Sequence, residues 1–434
     1  MSLPIFHEAT RVAEIDVGEE GPRLRYDPAW LPAVGAFPIS LTMPLSHVAY
    51  GSDTTVPWLM NLLPEGEPLR AMTRALGVSR DDILGLIAST GQDLAGALTI
   101  GAPRPGQEPG FIRIAEPGSL ERIIEGLPAR PFLVGEEGVS MSLAGAQEKL
   151  PLARGGEHLA IPVNGAASTL ILKPDNSRLP GSVQNEALCM VLARRCGLPT
   201  APVTTGVAGS RSYLLVDRYD RIEREGRIAR VHQEDFCQAL GRPPAAKYQH
   251  NQSGAPGPSL AEMFALVRNH MTARDITRLL DAVIFNIAIG NVDSHAKNYS
   301  ILLQPGRAEL APLYDLMSGL TWDNITQNHA QDVGGQARGR HIYGRHWRRM
   351  ADAAGLAGPA TVRRVAQVTT RVLAELAAAV EEVRAMPAGG ASLETFAAAI
   401  AERAEFVRRH AETEAGPEAE PAAEPAGAQA RYDV

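Results

Sequence analysis

Lysine is nearly missing from this chain: of its 42 basic residues only Lys149, Lys173, Lys247 and Lys297 are lysine. Where arginine serves almost everywhere, a retained lysine marks a place that calls for a compact point charge on a flexible stem. Cysteine is scarce too. Cys189, Cys196 and Cys237 are odd in number and have no C-x-x-C spacing, which argues against a disulfide framework and against a zinc site. No apolar run approaches the roughly 18 residues of a membrane-spanning helix. The N-terminal stretch MSLPIFHEATRVAEID carries acids where a secretory signal has a basic start. A soluble cytoplasmic protein without a membrane partner is expected.

What is present supports a folded chain of two or three domains. It has 434 residues, 45% of them hydrophobic, against roughly 100–200 residues per domain. Residues 1–105 mix short apolar stretches with helical patterns at 56–63 and 81–89 and a strand at 97–101. A Pro/Gly-rich stretch between Gly101 and Gly110 reads as a linker. The segment 106–231 alternates strand-like runs (158–163, 169–173, 213–219) with a helix over 185–196. From 232 to 411 helices dominate, at 233–240, 261–270, 276–289, 362–383 and 393–410, with a strand pair at 299–303 and 309–313. The layout predicts an α+β fold of two lobes: a mixed lobe with strands and a larger helical lobe. Residues 412–434 are Ala/Glu/Pro without apolar periodicity and read as a disordered acidic tail. The tail holds six acids and one base, a net of -5, so residues 1–411 carry only -2 of the total -7. A near-neutral body leaves local basic patches free to matter.

Four segments carry chemistry. The first is GNVDSHAKN, in which Asp293 and Asn298 stand in D-x4-N spacing beside Lys297. In phosphoryl transfer such a loop offers an Asp for the acceptor hydroxyl, an Asn for magnesium and a Lys for the migrating phosphate. The alternative is a loop of capping Asx side chains. The second is LAPLYDLMS, which places Asp315 after the strand pair, where a kinase puts its second metal-binding Asp; the alternative is a turn Asp closing a hairpin. The third is TLILKP, with Lys173 at the end of an apolar strand and Glu186 a candidate partner in the next helix. The fourth is MSLAGAQEK, whose small residues allow backbone N–H groups near phosphates while Lys149 adds charge. It is neither a Walker A loop nor a G-x-G-x-x-G loop.

These segments resemble one family. SLAGAQEKLPL, ILKP with a following N-E, DRYDR, HQEDFCQALG, KYQ, GNVDSHAKN and LAPLYDLMS stand in the order seen in HipA-type toxin kinases. NLLPEGEPLR and GQDLAGAL resemble that family's N-terminal subdomain, here residues 1–105. The resemblance implies a two-lobed, kinase-like fold and a serine/threonine-protein kinase that uses ATP and Mg2+. Asp293 then matches the catalytic base, Asn298 and Asp315 the magnesium ligands, and Lys173 the lysine on the nucleotide phosphates. Asp217 and Tyr219 match the hinge under the adenine, and Gln233, His295 and Tyr314 match pocket-lining positions. Ala144, Gly145, Ala146, Gln147, Glu148 and Lys149 match the phosphate loop, and Ser142 a serine whose autophosphorylation ejects that loop.

The same resemblance implies partners: a serine of an aminoacyl-tRNA synthetase as substrate, best known for the glutamate enzyme, with translation arrest and persistence as the outcome. It also implies a helix-turn-helix antitoxin of the HipB type and operator DNA bound through it. Two other readings stay open: a kinase-fold co-repressor whose output is DNA binding, and a kinase of lipids or small molecules. The arginine-rich run RGRHIYGRHWRR (338–349) suits either DNA phosphates or a solvated helical face anchored by Trp347.

Overall fold

The computed structural model describes residues 2–102, 106–156, 158–390 and 392–413. Part of the expected linker and the tail beyond 413 lie outside the described residues. The chain divides into two units that are not contiguous in sequence. Unit one takes 1–174, 208–244 and 300–311, and unit two takes 175–207, 245–299 and 312–434. The breaks expected at 105 and 231 therefore fall inside unit one.

Unit one is built of antiparallel strands. Ser2–His7, Thr10–Gly18 and Gly21–Tyr26 form a meander, and Leu98–Ile100 returns to pair with the free side of the first. Along these strands Ile5, Val12, Ile15, Leu24 and Tyr26 face inward and pack with Trp30, Met43 and Trp58. A second sheet sets Gly110–Arg113, His158–Val163, Leu150–Gly155, Leu170–Pro174 and Arg211–Asp217 side by side in that order. Lys173 lies here opposite Leu214, and its strand is buried at Leu170 and Leu172.

A third sheet corrects the sequence reading. Residues 233–235 were expected to open a helix, yet His232–Asp235 is a strand paired with Ser300–Gln304, which in turn pairs with Arg307–Leu310. The helix is short, Phe236–Ala239, and starts where its signal does: Asp235 accepts from the Gln238 N–H and Gln238 accepts from the Asp235 N–H. What precedes an N-cap is free to pair as strand.

Unit two is helical. Ser182–Arg195, Leu260–His270, Ala273–Ile289, Gly358–Arg384 and Ser392–His410 match or extend the expected helices, and Gly344–Ala353 is a further helix within and beyond the arginine-rich run. Gly358–Arg384 buries Val362, Val365, Val368, Val372, Leu376, Val380 and Val383 along one stripe. Full burial of each such side chain is worth about 1.5–3 kcal/mol. Ala273–Ile289 is buried almost all round from Leu279 onward. It stops at Gly290, whose φ of 69° needs glycine and whose missing Cβ would lie 2.4 Å from Leu320. Among the described residues no helix is long and apolar enough to cross a membrane.

Candidate active site

In unit two the loop that follows Gly290 is folded by its own amides. Asn291 donates from its backbone to the Asn286 carbonyl at 2.8 Å and from Nδ2 to Asn286 Oδ1 at 3.0 Å. Asn286 in turn donates to the buried Tyr299 hydroxyl at 2.9 Å. The Asp293 N–H then donates to Asn291 Oδ1 at 3.2 Å. Asn298 closes the turn, its Nδ2 donating to the Asp293 carbonyl at 2.8 Å and its N–H to the His295 carbonyl at 2.8 Å. The D-x4-N pair is thus one folded unit. Asn298 spends an Nδ2 hydrogen on the loop.

Two further segments hold this loop. Lys247 and Tyr248 lie against it: the Lys247 carbonyl accepts from the Ala296 N–H at 3.1 Å, and the Tyr248 hydroxyl donates to Asp293 Oδ1 at 2.5 Å. The Tyr248 ring meets His295 edge-on at 5.1 Å. From the other side Tyr314 donates to the Lys297 carbonyl at 2.6 Å, and Asn291 Nδ2 reaches the Asp315 carbonyl at 3.4 Å. Asp315 itself has φ +53°, a left-handed conformation that costs a non-glycine residue energy and recurs at functional sites. Asn185 fixes the segment after it, exchanging hydrogen bonds with the Ser318 backbone at 2.8 and 3.1 Å. Asp293, His295, Lys297, Asn298, Tyr314 and Asp315 are therefore brought into one network. Asn185, Asn286, Asn291, Lys247 and Tyr248 belong to it without having been foreseen as site residues. For Lys247 and Tyr248 the signal was available: the scarce lysine, in KYQ.

In unit one the small-residue segment is strapped to the N-terminal region. The Asp93 N–H donates to the Ser140 carbonyl at 3.1 Å and the Ser142 N–H to the Asp93 carbonyl at 3.2 Å. The Glu65 N–H donates to the Gly145 carbonyl at 3.0 Å. Ser142 is fully buried, its hydroxyl donating to the Leu62 carbonyl at 2.9 Å. Lys149 turns back on its own loop, Nζ to the Ala144 carbonyl at 2.7 Å, and Gly145 with φ +104° makes the bend. Ala144, Ala146, Gln147 and Glu148 complete this loop, all half-buried. Lys173 is buried on its strand. Asp217 is half-exposed and pairs with Arg154 at 2.9 Å, while Tyr219 donates to Gln233 Oε1.

DRYDR does something the sequence reading missed. Its Arg218, Asp220 and Arg221 are buried together with Asp93 of the GQDLAGAL segment. Arg218 grips Asp220 with two hydrogen bonds (2.9 and 2.7 Å), Arg221 reaches Asp220 and Asp93 at 3.0 Å each, and Arg230 reaches Asp93 at 3.3 Å. The Gly96 N–H adds a bond to Asp220 Oδ2 at 2.7 Å, and the Ser168 N–H donates to Asp93 Oδ2 at 3.1 Å. Burial works to raise both carboxyls. For Asp93 the guanidinium groups of Arg221, Arg218 and Arg230 outweigh it; for Asp220 those of Arg218 and Arg221 do, so both stay below the usual range. Burial and the neighbouring Arg218 bring Arg221 down to about 10. Next door, burial holds His232 down at about 4 and Glu234 up at about 8. Both tie their strand to residues 39–41, through His232 Nε2 to the Ile39 carbonyl at 2.8 Å and the Leu41 N–H to Glu234 Oε1 at 2.8 Å.

In the arginine-rich run, Trp347 is fully buried and anchors the helix Gly344–Ala353. Among the described residues no carboxylate pairs with Arg338, Arg340, Arg345 or Arg349. His346 is lowered to about 4, first by burial and then by Arg345, Arg349 and His341.

The family model described as the HipA-like C-terminal domain matches residues 141–382, and that of the HipA N-terminal domain matches 3–101. A Sinorhizobium fredii protein, Y4mE, named only provisionally as a kinase, is 37% identical over 395 residues, 88% of this chain and 92% of the relative. The serine/threonine-protein kinase toxin HipA of Shewanella oneidensis is 30% identical over 351 residues, 77% of this chain and 79% of the relative. A chain from the solved S. oneidensis MR-1 complex of HipA, HipB and operator DNA superposes with a TM-score of 0.81 at 26% identity, covering 94% of this chain and 96% of that one.

Proposed function

The chain belongs to the HipA family of serine/threonine-protein kinases, and on that premise we propose that it is a toxin that phosphorylates a serine of an aminoacyl-tRNA synthetase, the glutamate enzyme first. Asp293 orients the acceptor hydroxyl and takes its proton. Lys297 and Lys173, with the backbone of residues 144–149, contact the ATP phosphates, while Gln233, His295 and Tyr314 line the nucleotide. Asp217 and Tyr219 meet the adenine through their backbone. The observation that supports this reading is the Asp293–Asn298 turn, closed by a 2.8 Å hydrogen bond from the Asn298 side-chain amide to the Asp293 backbone carbonyl.

The residues fit magnesium. Asn298 Oδ1 and the Asp315 carboxylate are two hard oxygen donors, and a Mg2+ site with few protein ligands is completed by phosphate oxygens and water. Among the described residues no group of three or more His, Cys, Asp or Glu offers a self-sufficient metal site, which suits an ion that arrives with its nucleotide. When bound it neutralises charge on the phosphates.

Ser142 is the site of self-modification in this reading. Its hydroxyl is wholly buried, so modification goes with release of the loop, and about two added negative charges keep the loop out and repel ATP. Incubating the full chain with Mg2+, labelled ATP and purified glutamyl-tRNA synthetase tests the substrate. Label on a synthetase serine with loss of tRNA charging supports it; a chain that labels itself but no member of a synthetase panel refutes the substrate assignment. A second reading, a HipB-bound co-repressor, draws on the S. oneidensis complex and on the arginine-rich run 338–349; gel shift on operator DNA with a HipB-like protein tests it.

A further inference from the structure

The contact between Tyr248 and Asp293 has a consequence for the chemistry. Tyr248 is held before it reaches the acid. Its carbonyl accepts from Asn251 Nδ2 at 3.0 Å, and the chain passes so close that a Cβ on Gly257 would lie 1.8 Å from that oxygen. The carbonyl of the preceding Lys247 is fastened to the Ala296 N–H. The ring is steadied edge-on by His295, and Lys247 Nζ sits 5.4 Å from the ring centroid. A cation over the aromatic face makes the phenol a better donor. All these fixings aim one hydroxyl at one carboxylate oxygen, at 2.5 Å. That length belongs to a charge-assisted O–H···O⁻ bond.

We propose that Tyr248 is a positioning residue that sets the orientation of the Asp293 carboxylate, with Lys247 reinforcing it. The inference rests on Asp293 as the catalytic base. The donated hydrogen bond removes the rotational freedom of the carboxylate, so the acid meets the incoming hydroxyl in one orientation. In the step itself the serine Oγ bonds to the γ-phosphorus as the bridge to the β-phosphate breaks. ADP leaves with the electron pair of that bridge, and the serine proton passes to the Asp293 carboxylate. Tyr248 keeps its own proton throughout. A purely structural tyrosine would support the fold without separating kcat from KM.

Tyr248→Phe separates these roles, because it keeps the ring against His295 and removes only the hydroxyl. With the full chain, Mg2+ and labelled ATP, kcat for phosphoryl transfer falls about 10–100-fold, on the order expected for misaligned acid–base catalysis. KM for ATP stays within about twofold, and the unfolding midpoint stays that of the wild type. An unchanged kcat in Tyr248→Phe, or a kcat and KM that change together with a lowered unfolding midpoint, overturns the proposal, even where Asp293→Asn is inactive. Full activity in Asp293→Asn overturns the base assignment instead. A wild-type chain that transfers no phosphate overturns both.

Discussion

The two units show different side chains around their site segments. In unit two amides and hydroxyls run through the Asp293 loop, from Asn286, Asn291, Asn298, Tyr248 and Tyr314, with Asn185 on the segment after Asp315. In unit one the segment next to Ser142 is backed by an ionic cluster of Arg218, Asp220, Arg221, Arg230 and Asp93. Directed hydrogen bonds from amides and hydroxyls orient a carboxylate, which suits the base proposed for Asp293. The charges of the DRYDR cluster are buried and paired with one another. They join Asp93, in the matched N-terminal domain, to Arg218, Asp220 and Arg221 in the matched C-terminal domain, and buried pairing makes that junction specific.

The comparison can be broken from its ionic side first. Asp220→Asn leaves Arg218 and Arg221 buried without their shared counter-charge and destabilises the protein by about 3–5 kcal/mol, read by denaturant unfolding. A loss below about 1 kcal/mol would show the cluster to be hydrated. On the neutral side, Asn185→Ala strands the Ser318 backbone groups and costs about 1–3 kcal/mol. The same variant lowers phosphoryl transfer more than ATP binding, since it frees the segment that carries Asp315; kinetics and nucleotide titration check this.

A third effect is in pH. His232, lowered to about 4, loses stability as pH falls below 6.5, and Glu234, raised to about 8, loses it as pH rises from 4.5. Between about 4.5 and 6.5 the two slopes oppose; from 6.5 to 8 only the Glu234 slope remains. Stability therefore drops by up to about 2 kcal/mol over that window, and Glu234→Gln flattens the drop in unfolding measured at pH 6.5 and 8. The smallest effect is at the surface. The half-exposed Arg154–Asp217 pair is worth less than about 1 kcal/mol, so Arg154→Ala shifts the unfolding midpoint hardly at all.

These differences also explain what was legible in the sequence. GNVDSHAKN and LAPLYDLMS could be singled out because their residue types and spacing are those of phosphoryl-transfer loops, and hydrogen bonds join the two segments. The helices of unit two followed from their apolar periodicity. Gln233 was misplaced on a helix because HQED pairs with a strand some seventy residues away, which no local window contains. DRYDR was read for Asp217 and Tyr219, the residues that the resemblance marks. Its buried work falls to Arg218, Asp220 and Arg221, because Asp93, their partner, lies more than a hundred residues upstream. Asn185 escaped for the same reason: its meaning is a distance to Ser318, far along the chain. The lysine count reached further than expected: Lys247, the one left outside the nucleotide motifs, lies against the Asp293 loop.

The central claim is that this folded loop transfers phosphate through Asp293. The direct measurement is transfer from labelled ATP in the presence of Mg2+ by the wild-type chain and by Asp293→Asn, with equal folding verified by unfolding midpoint and circular dichroism. The account predicts serine label in the wild type, Ser142 included, and a loss of at least about a hundredfold in the variant. Equal labelling by the two chains would contradict it.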